Sequence, residues 1–133
     1  MIFIGLDNGI TICKKNLNSS IILNESFIPS DYEVCYWRKC WGIRNDIIDY
    51  LHNTHEIQEE LYEYELTLAD LQAIYDILLS WYNKKKWNES GRSIWEWKVI
   101  KKQLRYDCNR LAYLIAKKEV YGDDLPVYFY DSY

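Results

Sequence analysis

The feature that most constrains the fold is the segment of residues 31–52, DYEVCYWRKCWGIRNDIIDYLH, because its apolar residues recur at helical spacing. Ser30 and Glu33 have the spacing of a capping box, and Pro29 ends the preceding segment. At about 100° per residue, the apolar side chains cover more than half of the helix surface. They are Val34, Tyr36, Trp37, Cys40, Trp41, Ile43, Ile47, Ile48, Tyr50 and Leu51. This pattern predicts a long central helix with other elements packed on two sides.

One cation conflicts with the apolar arc of this predicted helix. Arg44 projects into the middle of the arc, whereas Arg38, Asn45, Asp46 and Asp49 share the narrow polar face. An unpaired guanidinium in apolar surroundings is very costly. We therefore expect the Arg44 side chain to contact a carboxylate or to line a pocket that binds an anion.

Length and composition indicate one globular domain over residues 1–133, since a 133-residue chain with 49% apolar residues can bury a sizeable core. The chain has no run of about 18 apolar residues and no signal-peptide pattern, so we expect no membrane partner and a cytoplasmic location. A net charge of −4 argues against a DNA- or RNA-binding protein, which needs a basic face. The 13 tyrosines and 6 tryptophans are residue types enriched at binding surfaces, although most are expected in core and boundary positions.

Five strand patterns and two more helix patterns complete the chain. Residues 2–28 read as three short strands with a turn at Asp7-Asn8-Gly9, residues 61–66 alternate like a strand, and residues 127–130 form a last strand after Pro126. The fold is therefore expected to be α+β, with three helices packed on a small antiparallel sheet.

The second and third helices carry clear start and stop signals. Thr67 is the predicted N-cap of the second helix, with Asp70 three residues later, and this helix is expected to run to about residue 86. Ser93 and Glu96 open the third, which spans residues 94–120 and ends at Gly122. The predicted core stripes are Leu71, Ile74, Tyr75, Leu78 and Tyr82, then Trp97, Ile100, Leu104, Cys108, Leu111 and Ile115.

Catalysis and metal binding find little support in the residues. The pattern His52-x-x-His55-Glu56 lacks a third metal ligand, and Asn53 and Thr54 indicate that the helix ends between the histidines. No serine or cysteine lies beside a candidate base. We expect a protein that is not an enzyme and has no cofactor.

The cysteines are not spaced as pairs. Cys13, Cys35, Cys40 and Cys108 contain no C-x-x-C motif. Because a cytoplasmic compartment keeps thiols reduced, all four are predicted to be thiols rather than disulfides.

The stretch Glu33-Val34-Cys35-Tyr36-Trp37-Arg38-Lys39 resembles the E-x-x-Y-W-R-K signature of a family of small, uncharacterised bacteriophage proteins. Residues 62–71 and 127–133 are similar to that family's tyrosine-rich strand with a capped helix and to its aromatic terminus. Family members often carry a histidine at the position of Arg44. The resemblance implies a viral protein of the host cytoplasm, of the kind that counters bacterial immunity.

The first candidate ligand site joins the motif to the arginine of the apolar arc. Its residues are Tyr36, Trp37, Arg38, Lys39 and Arg44. An aromatic ring beside guanidinium groups suits a ligand with a base and a phosphate, because the ring stacks on the base and the planar fork binds phosphate oxygens. The alternative places Trp37 in the core and pairs Arg38 and Lys39 with the acidic residues of 56–65.

The third helix carries a second candidate anion surface. Its basic ridge comprises Lys98, Lys101, Lys102 and Arg105. Like charges four residues apart repel each other unless an anion or the acidic strand at Glu63 and Glu65 lies opposite. One helix cannot aim both Arg38 and Arg44 at one phosphate, so Lys98 and Arg105, or a second subunit, would supply the other wall of a shared site.

These patterns predict a phage accessory binding protein that antagonises host antiviral defence by sequestering a small phosphorylated or nucleotide-type ligand without catalysis. The alternatives are an inhibitor that binds a host defence protein through a tyrosine-rich or acidic surface, and a structural or regulatory phage protein. Aromatic rings around basic groups in a concave pocket favour the ligand, whereas exposed aromatic rings favour a protein partner. A homo-oligomer is compatible with each alternative.

Overall fold

The computed structural model describes residues 7–12, 33–38, 41–57, 63–83 and 94–132. Over these ranges the chain forms three α-helices and four β-strands. In chain order they are β1 (Asp7–Ile12), β2 (Glu33–Arg38), α1 (Trp41–His55), β3 (Glu63–Glu65), α2 (Leu68–Asn83), α3 (Ile94–Tyr121) and β4 (Val127–Ser132), with a short 3-10 helix at Gly122–Asp124 before the last strand. The predicted α+β fold is confirmed.

The four strands form one antiparallel sheet in the order β2-β1-β4-β3. Gly9 of β1 lies opposite Tyr36 of β2 on one side and Tyr130 of β4 on the other. A short strand, β3, pairs with the outer side of β4 and continues into a backbone hydrogen bond of 2.8 Å from Leu66 N to Val127 O. The sheet therefore joins residues from both ends of the chain at its centre.

The long helix predicted for residues 31–52 is wrong in its first half. Residues 33–38 are strand β2, and α1 begins at Trp41. The succession of β-branched and aromatic residues in this stretch suits a pleated strand, and pairing with β1 satisfies the backbone. Glu33 is therefore a strand residue and completes no capping box, and Ser30 lies outside the described residues.

The second half of that prediction has the correct helical phase. Ile43, Ile47 and Leu51 are fully buried on one face of α1, as the spacing predicted. The helix continues to His55, so the predicted end at residues 53–54 is also wrong. Glu56 follows with a positive φ of 55°, which is where the helical backbone stops.

The predicted turn at Asp7-Asn8-Gly9 is part of strand β1. An Asn-Gly pair is a strong hairpin signal, but here the glycine lies between two tyrosines of neighbouring strands, and a strand glycine often marks such a close approach. The other strands predicted within residues 2–28 fall partly or wholly outside the described ranges.

Three of the start and stop signals predicted for the later elements are confirmed. Thr67 N donates to Asp70 Oδ2 at 2.9 Å, and Asp70 N donates to Thr67 Oγ1 at 3.2 Å, which is the reciprocal capping box predicted for α2. Gly122 has a positive φ of 56° at the end of α3. The strand predicted after Pro126 is β4, whereas Ser93 and residues 84–86 lie outside the described residues.

The core lies where α1, α2 and α3 meet the sheet, and Phe129 of β4 is its largest fully buried side chain. From the predicted stripes, Leu71, Ile74 and Leu78 of α2 are fully buried, and Trp97, Leu104, Cys108 and Leu111 of α3 are buried. Tyr75, Tyr82, Ile100 and Ile115 are only partly buried. The sequence pattern did not single out Trp81, which is buried and packs edge-on against Trp97 at 5.9 Å between ring centroids.

Two of the four predicted thiols are described. Cys35 and Cys108 are buried and reduced, as predicted, and Cys13 and Cys40 lie outside the described residues. Burial and the neighbouring Asp107 raise the pKa of the Cys108 thiol to about 11. This thiol is therefore protonated at neutral pH and is a packing group rather than a nucleophile.

Among the described helices, none is both long enough and apolar enough to cross a bilayer.

Candidate functional site

The residues predicted to bind a ligand lie on three elements rather than on one helix. Tyr36, Trp37 and Arg38 are on β2, Arg44 is on α1, Lys98 and Arg105 are on α3, and Lys39 lies outside the described residues. The predicted placement of Arg38 and Arg44 on one helix is therefore wrong, since a strand carries Arg38 and a helix carries Arg44. The fold does place α3 in contact with β2, so the strand of the motif and the helix of the basic ridge are neighbours.

Arg44 forms a two-pronged ion pair with Asp131 near the end of β4. Its Nε donates to Asp131 Oδ1 at 2.9 Å and its Nη2 donates to Oδ2 at 2.6 Å. The Arg44 side chain is 11% exposed and that of Asp131 only 1%. A third bond runs from Arg44 Nη1 to Asn45 Oδ1 at 3.1 Å. The prediction of a carboxylate partner is confirmed. The Arg44 guanidinium donors that could bind a phosphate are already hydrogen-bonded to a carboxylate.

A second buried carboxylate joins the end of α1 to the start of α2. Asp70 is 1% exposed, and its Oδ1 accepts hydrogen bonds from Tyr50 Oη at 2.9 Å and from His55 Nε2 at 2.7 Å. Its Oδ2 accepts the capping bond from Thr67 N described above. We call these four residues, Tyr50, His55, Thr67 and Asp70, the Asp70 cluster.

The hydrogen bonds of the Asp70 cluster decide its protonation. Burial raises the pKa of Asp70, but the bonds from Thr67, His55 and Tyr50 outweigh it and hold the pKa below its ordinary value. The carboxylate is therefore ionised at neutral pH and only accepts, so His55 Nε2 carries the proton of their shared bond. Burial and the Asp70 charge raise the pKa values of Tyr50 and Tyr64, and the Tyr64 ring lies 5.0 Å from the His55 ring. The Asp70 cluster therefore links the C-terminal end of α1 to the N-terminal end of α2.

The histidine pair does not form a metal site within the described residues. His52 and His55 are on one helix, but His55 bonds to Asp70, and His52 Nε2 is buried without a hydrogen-bond partner. No group of three or more His, Cys, Asp or Glu side chains suited to a metal occurs in this part of the chain.

An open groove of about 420 Å³ runs between α1 and α2. Its lining comprises Asp46, Asp49, Tyr50, Asn53, Asp76, Ile77 and Ser80, and we call it the α1–α2 groove. The charged residues of this lining are all aspartates. Asp46 is held in place because Trp81 Nε1 donates to its Oδ2 at 2.7 Å. The groove therefore presents fixed negative charge beside the apolar surface of Ile77 and Tyr50.

Two further cavities differ in their charge. One of about 430 Å³ lies where α2 begins, and its charged lining is Glu65, Lys118, Glu119 and Asp123. Lys118 is buried there and donates to the Leu125 carbonyl at 2.7 Å. The other, of about 340 Å³ between α2 and α3, is lined by Gln72, Tyr75, Asp76, Ala112 and Ile115. In all three cavities carboxylates outnumber cations, which is unfavourable for a phosphate.

No protein family, curated protein or solved structure matches the chain.

The outer face of α3 carries exposed apolar residues at regular spacing. Val99, Tyr106 and Val120 are 70%, 58% and 74% exposed, and Tyr113 between them is half-buried. Arg110 lies 5.9 Å from the Tyr106 ring and Lys117 lies 5.5 Å from the Tyr113 ring. We call Val99, Tyr106, Tyr113 and Val120 the outer stripe. The sequence analysis did not predict the outer stripe, although its seven-residue spacing is readable in the sequence.

Proposed function

We propose that the protein is a non-catalytic binding protein that docks on a basic region of another protein through the α1–α2 groove. The observation that carries this proposal is the charge of the groove, where Asp46, Asp49 and Asp76 face the same space with no cation in the lining. In the phage context that the sequence motif implies, the partner would be a host defence protein.

Both the aliphatic stem and the charged head of a lysine or arginine side chain suit this groove. The aliphatic stem can lie along Ile77 and the Tyr50 ring, while the charged head approaches the aspartates. Three carboxylates around one space repel each other, and a cation between them relieves that repulsion. A chain of net charge −4 also attracts a basic partner at a distance, which raises the association rate.

A charge-reversal experiment tests the groove. We expect Asp49→Lys combined with Asp76→Lys to weaken capture of a partner from host-cell lysate at least about tenfold, or about 1.4 kcal/mol. The matched control is Glu56→Lys with Glu63→Lys, which changes the net charge equally at exposed sites outside the groove. Quantitative mass spectrometry of the proteins retained by immobilised wild type and by both variants gives the comparison. Equal capture by the groove variant and the control would overturn the proposal.

A nucleotide-type ligand is the second candidate, favoured by the contact between α3 and β2. This contact brings the strand that carries Tyr36, Trp37 and Arg38 beside the helix that carries Lys98 and Arg105. A ligand held between β2 and α3 would have the second wall that a shared site needs, although Arg44 is engaged by Asp131.

Calorimetric titration with a panel of cyclic and linear nucleotides, cyclic ADP-ribose-type molecules included, tests this second candidate. We expect Arg105→Ala to cost about 1.5–3 kcal/mol of binding free energy, the value of a charge-assisted hydrogen bond. Gln72→Ala, at an exposed position of α2, serves as the control. If wild type binds no member of the panel, these ligands are excluded.

A further inference from the structure

We propose that the cavity at the start of α2 binds a free amino acid with a basic side chain, arginine or lysine. The cavity has a volume of about 430 Å³, and we call it the Lys118 cavity. Its lining includes Glu65, Leu66, Leu68, Lys118, Glu119 and Asp123. It shares no lining residue with the α1–α2 groove, so this site is separate from the function proposed above.

The turn after α3 fixes the position of the Lys118 side chain. The helix ends at Tyr121, Gly122 takes a positive φ of 56°, and Leu125 N donates to Gly122 O at 3.1 Å. The Leu125 carbonyl in turn accepts a hydrogen bond from Lys118 Nζ at 2.7 Å. The end of α3 and the chain leading into β4 therefore meet at this lysine.

Lys118 is a buried cation without a counter-ion among the described residues. The residue is 5% exposed, and Leu125 O is the one acceptor that its Nζ reaches in this part of the chain. An ammonium carries three N–H donors, so two of them have no acceptor there. A buried charge without a partner is costly, and a bound anion in the cavity would compensate it. Lys118 therefore points to a ligand that carries an anionic group.

The first turn of α2 offers donors at the same cavity. Thr67 and Asp70 satisfy each other's backbone N–H groups through the capping box. The N–H groups of Leu68 and Ala69 belong to the same first turn, where the helix supplies no acceptor, and Leu68 lines the cavity. The positive end of the helix dipole also favours an anion there. A carboxylate suits these donors, since one oxygen can approach Lys118 while the other approaches the start of the helix.

The acids of the lining add the requirement for a cation. Glu65, Glu119 and Asp123 are exposed residues, and none of them forms an ion pair within the described part of the chain. Because three carboxylates line the cavity with one ammonium, negative charge is in excess. This excess favours a ligand with more cations than anions, and it disfavours a phosphate, whose charge is larger than that of a carboxylate. Arginine and lysine fit, because each carries one carboxylate, an α-ammonium and a side-chain cation.

The size and the apolar part of the cavity agree with one such molecule. Sites for small molecules span about 300–1,000 Å³, and this cavity lies near the lower end of that range. Leu66 and Leu68 provide apolar surface along which the aliphatic stem of an arginine or lysine can lie. The Lys118 cavity therefore offers a partner to each part of a basic amino acid.

Calorimetric titration of the full chain with arginine and agmatine tests the role of Lys118. Agmatine is arginine without its carboxylate, so the comparison of the two ligands isolates that group. We expect wild type to prefer arginine, and Lys118→Met to lower this preference at least about tenfold, because the variant keeps an apolar stem but removes the donors. A wild type that does not bind arginine at millimolar concentration overturns the proposal, as does a preference that Lys118→Met leaves unchanged.

Two acidic positions test the cavity independently of whether Lys118→Met folds. Glu119→Gln combined with Asp123→Asn removes two exposed charges of the lining and is expected to weaken arginine binding at least about tenfold. The matched control is Glu56→Gln combined with Glu63→Gln, which removes the same charge at exposed positions outside the lining. Circular dichroism verifies the fold of both double variants. Equal affinities of these two variants for arginine overturn the proposal.

Asp49→Lys combined with Asp76→Lys separates the Lys118 cavity from the α1–α2 groove. These aspartates line the groove, which has no cation in its lining to recognise a ligand carboxylate. We expect this variant to keep the preference for arginine over agmatine, because the Lys118 cavity is unchanged. Loss of the preference in this variant would place the ligand in the groove and overturn the proposal. None of these outcomes depends on whether the groove binds a partner protein.

Discussion

Arg44→Ala is expected to lower the free energy of unfolding by about 3–5 kcal/mol, the range for removing one partner of a buried ion pair. The substitution leaves the Asp131 carboxylate almost fully buried without the two hydrogen bonds at 2.9 and 2.6 Å that now compensate its charge. It also releases the first turn of α1 from β4, a tie that spans 87 residues of sequence. Urea denaturation followed by tryptophan fluorescence at neutral pH measures the loss.

Two further variants separate the charge effect from the packing effect. Arg105→Ala removes an exposed arginine of α3 and should stay within about 0.5 kcal/mol of wild type. Arg44→Ala combined with Asp131→Ala removes both charges, so it should be more stable than Arg44→Ala alone. An Arg44→Ala protein within about 1 kcal/mol of wild type would mean that the pair is open in solution and that Arg44 is accessible to an anionic ligand.

The partner of Arg44 shows where sequence reasoning ends. The helical phase of residues 43–51 was enough to predict that this guanidinium needs an anionic partner, because that inference uses only local geometry. Asp131 could not be identified, since the pairing of β4 with β1 brings it to α1 from the other end of the chain. Local signals similarly predicted the Thr67 cap, the stop at Gly122 and the last strand.

Strand β2 was mistaken for a helix because its four consecutive apolar residues, at positions 34–37, fit both periods. Residues 33–38 form a strand because they pair with β1. The sequence pattern predicted a turn at residues 7–9 of β1, so this pairing partner was not recognised. Only part of the lining of the α1–α2 groove could be predicted from the sequence. Asp46 and Asp49 share the polar face of α1 in the sequence pattern, whereas Asp76 joins them only once α2 packs alongside.

Asp70→Asn is expected to lower the free energy of unfolding at neutral pH by about 2–4 kcal/mol. Asp70 caps α2 through Thr67, which contributes about 1 kcal/mol, and hydrogen bonds to a charged acceptor contribute about 1.5–3 kcal/mol. Asparagine keeps the shape of the side chain but removes the charge, and its amide nitrogen cannot accept a bond. Asp49→Asn, an exposed change on α1, is the matched control and should be nearly neutral.

The same cluster predicts how stability depends on pH. Because the pKa of Asp70 is lower in the folded protein than its ordinary value near 4, its contribution is fully present above about pH 4 and is lost as the pH falls through the folded-state pKa. Tyr50 acts in the opposite direction. Its pKa is raised by burial and by Asp70, so its contribution is fully present below about pH 10 and is lost as the pH rises through the raised value.

Urea denaturation across an acid pH series therefore distinguishes the Asp70 cluster from the many exposed carboxylates. Wild type and Asp49→Asn should lose stability with similar slopes below about pH 4, whereas Asp70→Asn should start lower and show a flatter slope, because it has no proton to take up at this position. An Asp70→Asn protein with the wild-type acid slope would show that the pKa of Asp70 is the same in the folded and unfolded protein. The charge of Asp70 would then contribute no net stability to the junction between α1 and α2.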